Sequence, residues 1–207
     1  MDGLFVNPLS LDLRFKGSRH YLHGTDMYNA TVQALQHHVQ PAELSDIEFS
    51  FHRQATMGLA LSNTLPDASV KPAAVVSFAA AGIRQKMFLL ETDRAIVGRY
   101  DYDEHVFAQH LDVTDGELAG TWRSATPYTD IETWVGLTKA LHQRVFSALE
   151  GQWLFVRCKF ARFEHAAVPG EKRLAIVSNF QNRLTRTVLS QDDLVVGEIH
   201  FSLLSRI

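Results

Sequence analysis

The stretch from Arg19 to Leu35, RHYLHGTDMYNATVQAL, concentrates residues that can do chemistry. His20 and His23 titrate near neutral pH and can act as general base or acid. Asp26 can orient a histidine, activate a water, or simply cap a helix, and Thr25 is a second capping residue. Gly24 lets the backbone approach a ligand closely. Tyr28 and Asn29, one turn further on, can donate hydrogen bonds. Periodicity sets these residues at a helix start: Met27, Ala30, Ala34, Leu35 and His38 share a stripe between Asp26 and about Val39, and Pro41 ends it. A helix start offers unpaired N–H groups and a positive dipole end, which suit an anion or a polarised carbonyl oxygen. The plain alternative is a capped helix with solvated histidines beside it. His20-x-x-His23 has no further His or acidic cluster at ligand spacing, so no metal site is expected.

The elements around this stretch belong to a chain of 207 residues that is 46% hydrophobic, enough for one large domain or two small ones. A net charge of -3 and the lack of any Lys/Arg run argue against a nucleic-acid binder. Cys158 is the single cysteine, which excludes an internal disulfide and a Cys-rich zinc site. The first residues lack the basic and apolar regions of a secretion signal, and no apolar run reaches a membrane span. A cytoplasmic protein is expected.

Beyond the first helix, Asp46–Asn63 reads as one long bent strand. Ala74–Thr92 reads as a second, bent at Gly82, and Ala95–Val106 as a third with Ile96, Gly98, Tyr100 and Tyr102 on one face. Thr129 and Glu132 form a capping box that opens a second helix through Glu150, with Ile131, Trp134, Leu141, Val145 and Leu149 as its apolar stripe and Gly151 closing it. Trp153–Ala167, Lys172–Leu189 and Leu194–Ser205 read as three further strands. The order helix, strand, strand, strand thus occurs twice. Residues 91–103 lie over 190–202 without a gap, so that Gly98 falls on Gly197 and Arg84 on Arg183 at one offset. The expected class is α+β, because runs of strands beside a single helix do not make a wound parallel sheet.

The phrase KFARFEHAAVPGEKRLAIV, Lys159 to Val177, resembles the F-x-R-x-V-x-PG-D-x-L strands of hotdog-fold proteins, among them 3-hydroxyacyl carrier-protein dehydratases and acyl-thioester hydrolases. Phe160, Arg162, Pro169, Gly170 and Leu174 carry the match, and LVVGEIHFSLL (194–204) resembles the closing strand. The resemblance implies a double hotdog, with repeats at 1–111 and 112–207, each a long central helix wrapped by a curved antiparallel sheet. It implies an acyl-CoA or acyl-carrier-protein thioester as substrate, with no cofactor, and the carbonyl at the start of the first helix.

The site residues then divide by reaction. A hydrolase needs a carboxylate near the carbonyl, which Asp26 could supply. A dehydratase needs a histidine and an acid, which His20 or His23 with Glu132 could supply. Gly24, Thr25, Tyr28 and Asn29 would contact the acyl group, and Arg84 and Arg183 the phosphates of the carrier. The chain departs from the dehydratase pattern, since its first helix has no carboxylate beyond Asp26 and Gln33 stands near the expected acid. A double hotdog that only binds an acyl chain or a partner is the other reading. Free sheet edges would allow a homodimer.

Overall fold

A computed structural model describes residues 8–38, 44–114, 116–162 and 169–204. They form two compact units: one runs through Tyr102, the other starts at Asp103, and a short stretch beginning at Ala161 belongs with the first. The class is α+β, antiparallel strands with few helices.

The first unit contains β1 (Leu9–Ser10), β2 (Phe15–Lys16), α1 (Gly24–His38), β3 (Leu44–Phe51), β4 (Met57–Ser62), β5 (Ala74–Ala80), β6 (Ile83–Ala95) and β7 (Arg99–Tyr100). Its sheet runs β1-β4-β6-β5-β3, while β2 and β7 pair separately and in parallel. β5 shows how the sheet is half-buried: Ala74, Val76, Phe78 and Ala80 face the core and the residues between them do not. On α1 the buried stripe is Met27, Tyr28, Thr31, Val32 and Leu35. The expected stripe holds for Met27 and Leu35 but turns away at Ala30 and Ala34, because the aromatic Tyr28 buries far more area than either alanine. Its ring meets that of Phe49 with centroids 4.9 Å apart.

The segment expected as one long strand at 46–63 is two strands, β3 and β4, which occupy different columns of the sheet. The loop between them is pinned by Glu91, whose carboxylate accepts from the amides of Thr56 and Met57 at 2.6 and 2.8 Å and from Arg53. Burial alone would raise the Glu91 pKa, but those hydrogen bonds, Arg53 first, hold it below the usual carboxylate range. Likewise 74–92 is a hairpin, not one bent strand. Ala81 (φ 49°) and Gly82 (φ 76°) form its two-residue turn, both in the left-handed region that a twisted hairpin favours. The third expected strand shrinks to β7, followed in the second unit by a short helix.

The second unit contains α2 (His105–Gln109), β8 (Ala119–Trp122), α3 (Asp130–Val145), β9 (Gln152–Arg162), β10 (Lys172–Phe180), β11 (Leu184–Gln191) and β12 (Leu194–Leu204), with sheet order β8-β10-β11-β12-β9. Lys172–Leu189 is again a hairpin where one strand was expected, turning at Gln181 and Asn182 with φ 51° and 55°. Trp134, Leu137 and Leu141 of α3 are buried, with Leu174, Leu189, Ile199 and Phe201 from the strands.

Both sheets put the strand before the helix at one end and the first strand after it at the other. They differ in the middle: β6, the last strand that the first unit gives to the sheet, lies between β4 and β5, whereas β12 lies beside β9. The gapless overlay of 91–103 on 190–202 therefore does not hold in space. Gly98 precedes β7 in the small parallel pair, and Gly197 lies within β12.

His142 sits fully buried among Trp153, Phe201 and Phe146. Its Nδ1 donates to the Thr138 carbonyl at 2.7 Å, so Nε2, 2.6 Å from Thr185 Oγ1, is the acceptor of a neutral ring. Burial pushes its pKa down from 6.5 to about 4. The unfolded chain then binds the proton first, so stability falls as pH drops from 6.5 towards 4, by about 3 kcal/mol at most. His142→Asn keeps the donor to Thr138 without this titration. Urea midpoints at neutral pH and at pH 4.5 should diverge less in the variant than in the wild type, and equal losses would contradict the assignment.

Candidate functional site at the first turn of the first helix

The His23 carbonyl accepts the first helical bonds of α1, from Asp26 N and Met27 N, both at 3.1 Å. His23 is therefore the N-cap. Its Nδ1 lies 3.4 Å from the Thr25 amide and 2.8 Å from Thr25 Oγ1. Neither Thr25 nor Asp26 takes the capping position expected of it, since the helix starts at Gly24 and both fall inside the first turn.

Asp26 turns instead to a buried cation. Lys16 is fully buried, and its Nζ lies 3.1 Å from Asp26 Oδ1 and 2.8 Å from Thr25 Oγ1. Tyr100 donates its hydroxyl to the same Asp26 oxygen at 2.7 Å. Lys16 Nζ also stands 4.2 Å from the Tyr102 ring centroid, a cation–π contact in place of water. The parallel pair of β2 and β7 makes this possible, for its register sets Lys16 beside Tyr100. Gly17 N donates to the Tyr100 carbonyl at 2.8 Å, and Arg99 donates to the Arg19 carbonyl at 2.7 Å, tying down the loop that carries the histidines.

The other expected residues fall as follows. His20 is exposed, His23 and Asn29 are partly buried, and Tyr28 is buried against Phe49. Arg84 lies on β6 with its guanidinium 3.6 Å from Glu48. Arg183 lies in the β10–β11 turn, exposed.

Glu132 closes the capping box of α3: its Oε2 accepts from Thr129 N at 3.0 Å and Thr129 Oγ1 at 2.8 Å, and its amide donates back at 3.4 Å. Thr129→Ala should cost about 1 kcal/mol, typical of a lost N-cap, read as a lower melting temperature. An unchanged melting temperature would contradict that role.

The acid beside it, Asp130, mirrors Asp26. Its Oδ1 accepts from the fully buried Lys172 at 3.0 Å and its Oδ2 from the Trp134 indole at 2.9 Å. Gln191 Oε1 accepts from Lys172 at 2.7 Å, and the Trp134 ring centroid lies 4.4 Å from the same ammonium. Each long helix thus begins at a buried Lys–Asp pair, but the lysines come from unrelated places, Lys16 from β2 before α1 and Lys172 from β10, two strands after α3. Lys16, Tyr100, Asp130, Lys172 and Gln191 carried no sequence signal as a group. Among the described residues, no three His, Cys, Asp or Glu side chains gather as metal ligands. Nor is any described helix long and apolar enough to cross a membrane.

No family model matches the chain, and no curated protein matches it. Solved structures do. A tesB protein of Mycobacterium avium subspecies paratuberculosis superposes with a TM-score of 0.52 at 9% identity, over 93% of this chain and 91% of that one. The dehydratase domain of PpsC from Mycobacterium tuberculosis, solved with C12:1-CoA, gives 0.48 at 14% identity, over 98% and 90%. An acyl-CoA thioesterase II of Mycobacterium marinum gives 0.45 at 10% identity, over 88% and 89%. The fold of this chain is the hotdog fold, that of TesB-type proteins.

Proposed function

We propose that the protein acts on an acyl thioester, carried by CoA or by an acyl-carrier protein, with the carbonyl at the first turn of α1. The observation that carries this is the cluster of His23, Thr25, Asp26, Lys16 and Tyr100, built around a helix start in a hotdog fold. Gly24 would meet the carbonyl, the fully buried Thr25 would hold His23, the ionisable group facing it, and Asn29 lies one turn beyond. His20 stays a candidate from the same exposed loop, and the exposed Arg84 and Arg183 are candidates for carrier phosphates. The finer architecture belongs to the same proposal: a double hotdog, each repeat a long central helix held in a curved antiparallel sheet. One long helix and one antiparallel sheet per unit support it.

Hydrolysis is favoured over 3-hydroxyacyl dehydration or hydration. The dehydratase pairing needs Glu132 as its acid, and that carboxylate is already hydrogen-bonded within the capping box. A non-catalytic acyl-binding role is the second reading, favoured by one observation. Asp26 accepts from a buried ammonium and a phenol, so its carboxylate is engaged in holding the helix start. Three readouts separate them: thiol release from acyl-CoAs of short, medium and long chain, loss of enoyl-thioester absorbance, and melting-temperature shift on acyl-CoA addition. Thiol release supports hydrolysis, a change in enoyl absorbance alone supports hydration chemistry, and a shift without turnover supports binding. No response in any of them rejects the proposal.

A further inference from the structure

We infer that the outer face of the second unit's sheet binds a second copy of this chain about a two-fold axis along β11, with Lys159 of each copy set between Asp112 and Glu117 of the other. The contact lies on the face of the sheet, not at its free edges, and it does not depend on the function proposed above.

Register assigns the face. Residues directly opposite one another in an antiparallel pair point to the same side. Ala119 pairs with Ala175, Ala175 with Val188, Val188 with Glu198 and Glu198 with Lys159, so one row crosses the sheet from β8 to β9. The row beside it, with Leu174, Leu189 and Phe160, is buried in the core, so this one faces outward. Leu184 lies four residues from Val188 on β11 and shares its side, as does its partner Phe180 on β10. Phe180 is 65% exposed, and Val195, opposite Ser190 on the same face, is 68% exposed. Val177 and Leu184 are exposed as well. Apolar side chains gathered on one open sheet face mark an interaction site.

The charges on this face select the occupant. Arg173 is paired with Glu171 and Asp193, and Arg186 with Glu198. Asp112 and Glu117 at the β8 end, and Lys159 on β9, make no ion pair with any described residue. The two acids border a groove of about 340 Å³ floored by Ala119, Ala175 and Val188, whose small side chains leave it open. Unpaired negative charge thus stands at one end of the row and unpaired positive charge at the other. A two-fold axis along β11, the middle strand, lays β8 of one copy over β9 of the other. Each Lys159 then enters the opposite groove on its flexible stem, and Leu184 meets its own equivalent. The face complements itself, so the contact closes as a dimer. Five strands of up to 11 residues present roughly 24 by 30 Å, on the order of the ~800 Å² per partner that a stable interface needs.

Sedimentation equilibrium over a concentration series reads the mass and the dissociation constant of the full chain. The wild type should sediment as a dimer. Lys159→Glu should raise the dissociation constant about tenfold or more, and so should Asp112→Lys with Glu117→Lys, because each sets like charges against one another. The three substitutions together should recover most of that loss. Phe180→Asp should also dissociate the dimer. All four positions are exposed, and circular dichroism checks that each variant stays folded. A monomeric wild type overturns the inference, as does a dimer that neither charge reversal weakens. Weakening by both reversals without recovery in their combination overturns the pairing of Lys159 with the two acids. Should a variant fail to fold, salt tests the wild type alone: its dissociation constant should rise with ionic strength, and a dimer indifferent to salt overturns the pairing.

Discussion

His23→Ala should lower acyl-thioester turnover by about 10²–10³-fold, the loss typical of removing one donor aimed at a developing oxyanion. Stability should change far less. His23 is only partly buried, and the bond its ring contributes to the helix start, from the Thr25 amide, is long at 3.4 Å. Losing a cap of this kind costs about 1 kcal/mol. The expected pattern is therefore a folded protein, a slightly lower melting temperature and a kcat reduced far beyond any change in KM. His20→Ala tests the other candidate of the loop: its side chain is exposed, and a loss there as large as at His23 would move the role to His20. A His23→Ala protein that retains full turnover would leave the residue with a capping role only.

The largest effect on stability is expected at the other helix. Lys172→Met should destabilise the fold by ~3–5 kcal/mol, because it leaves the buried Asp130 carboxylate without its cation. The same substitution strips Gln191 Oε1 of its 2.7 Å donor. Adding Asp130→Asn to Lys172→Met should recover much of the loss, since an amide is neutral and its oxygen can still accept from the Trp134 indole. All three tryptophans, Trp122, Trp134 and Trp153, lie in the second unit, so urea unfolding followed by tryptophan fluorescence reports on it. Arg173→Met gives the contrast. Its guanidinium is 56% exposed, with Glu171 and Asp193 as partners, and exposed pairs of this kind contribute roughly 0–1 kcal/mol. A Lys172→Met midpoint equal to that of Arg173→Met would mean that the buried pair contributes nothing to stability.

The helices were legible in the sequence because their signals are local. A 3.6-residue apolar period and the Thr129/Glu132 box placed α1 and α3 to within a few residues. The hairpins were not, because their turns lack strong markers. Gln181 and Asn182 adopt left-handed backbone without glycine or proline, and Ala81 does so ahead of Gly82. A run of extended residues across such a turn looks like one long strand. Alternation misled at Ile96 to Tyr102, where pairing spans two residues and Gly98 turns the chain at φ 99°. At Gly170 the glycine of the quoted motif has a clear cause: φ is 132°, and a Cβ would come within 2.4 Å of Asp192.

The candidate site divides in the same way. His23, Thr25 and Asp26 were legible as a cluster because they lie within four residues of one another. Lys16 and Tyr100 were not, since Tyr100 is 74 residues from its partner Asp26. Lys16 follows the buried Leu11 and Leu13 at odd spacing, where alternation places it outward. It turns inward where Tyr100 of β7, and Tyr102 just beyond that strand, stand beside it. Glu132 and Asp130 show the converse. Their sequence positions are equally near the helix start, yet one closes a cap and the other meets a buried lysine supplied from β10.

The central claim is that the first turn of α1, through His23, acts on an acyl thioester carbonyl. The most direct measurement is thiol release from acyl-CoAs across chain lengths by the wild-type protein and by His23→Ala at equal concentration. The wild type should release thiol at one or more chain lengths, and the variant about 10²-fold less or lower still. Release at equal rates by both proteins would contradict it.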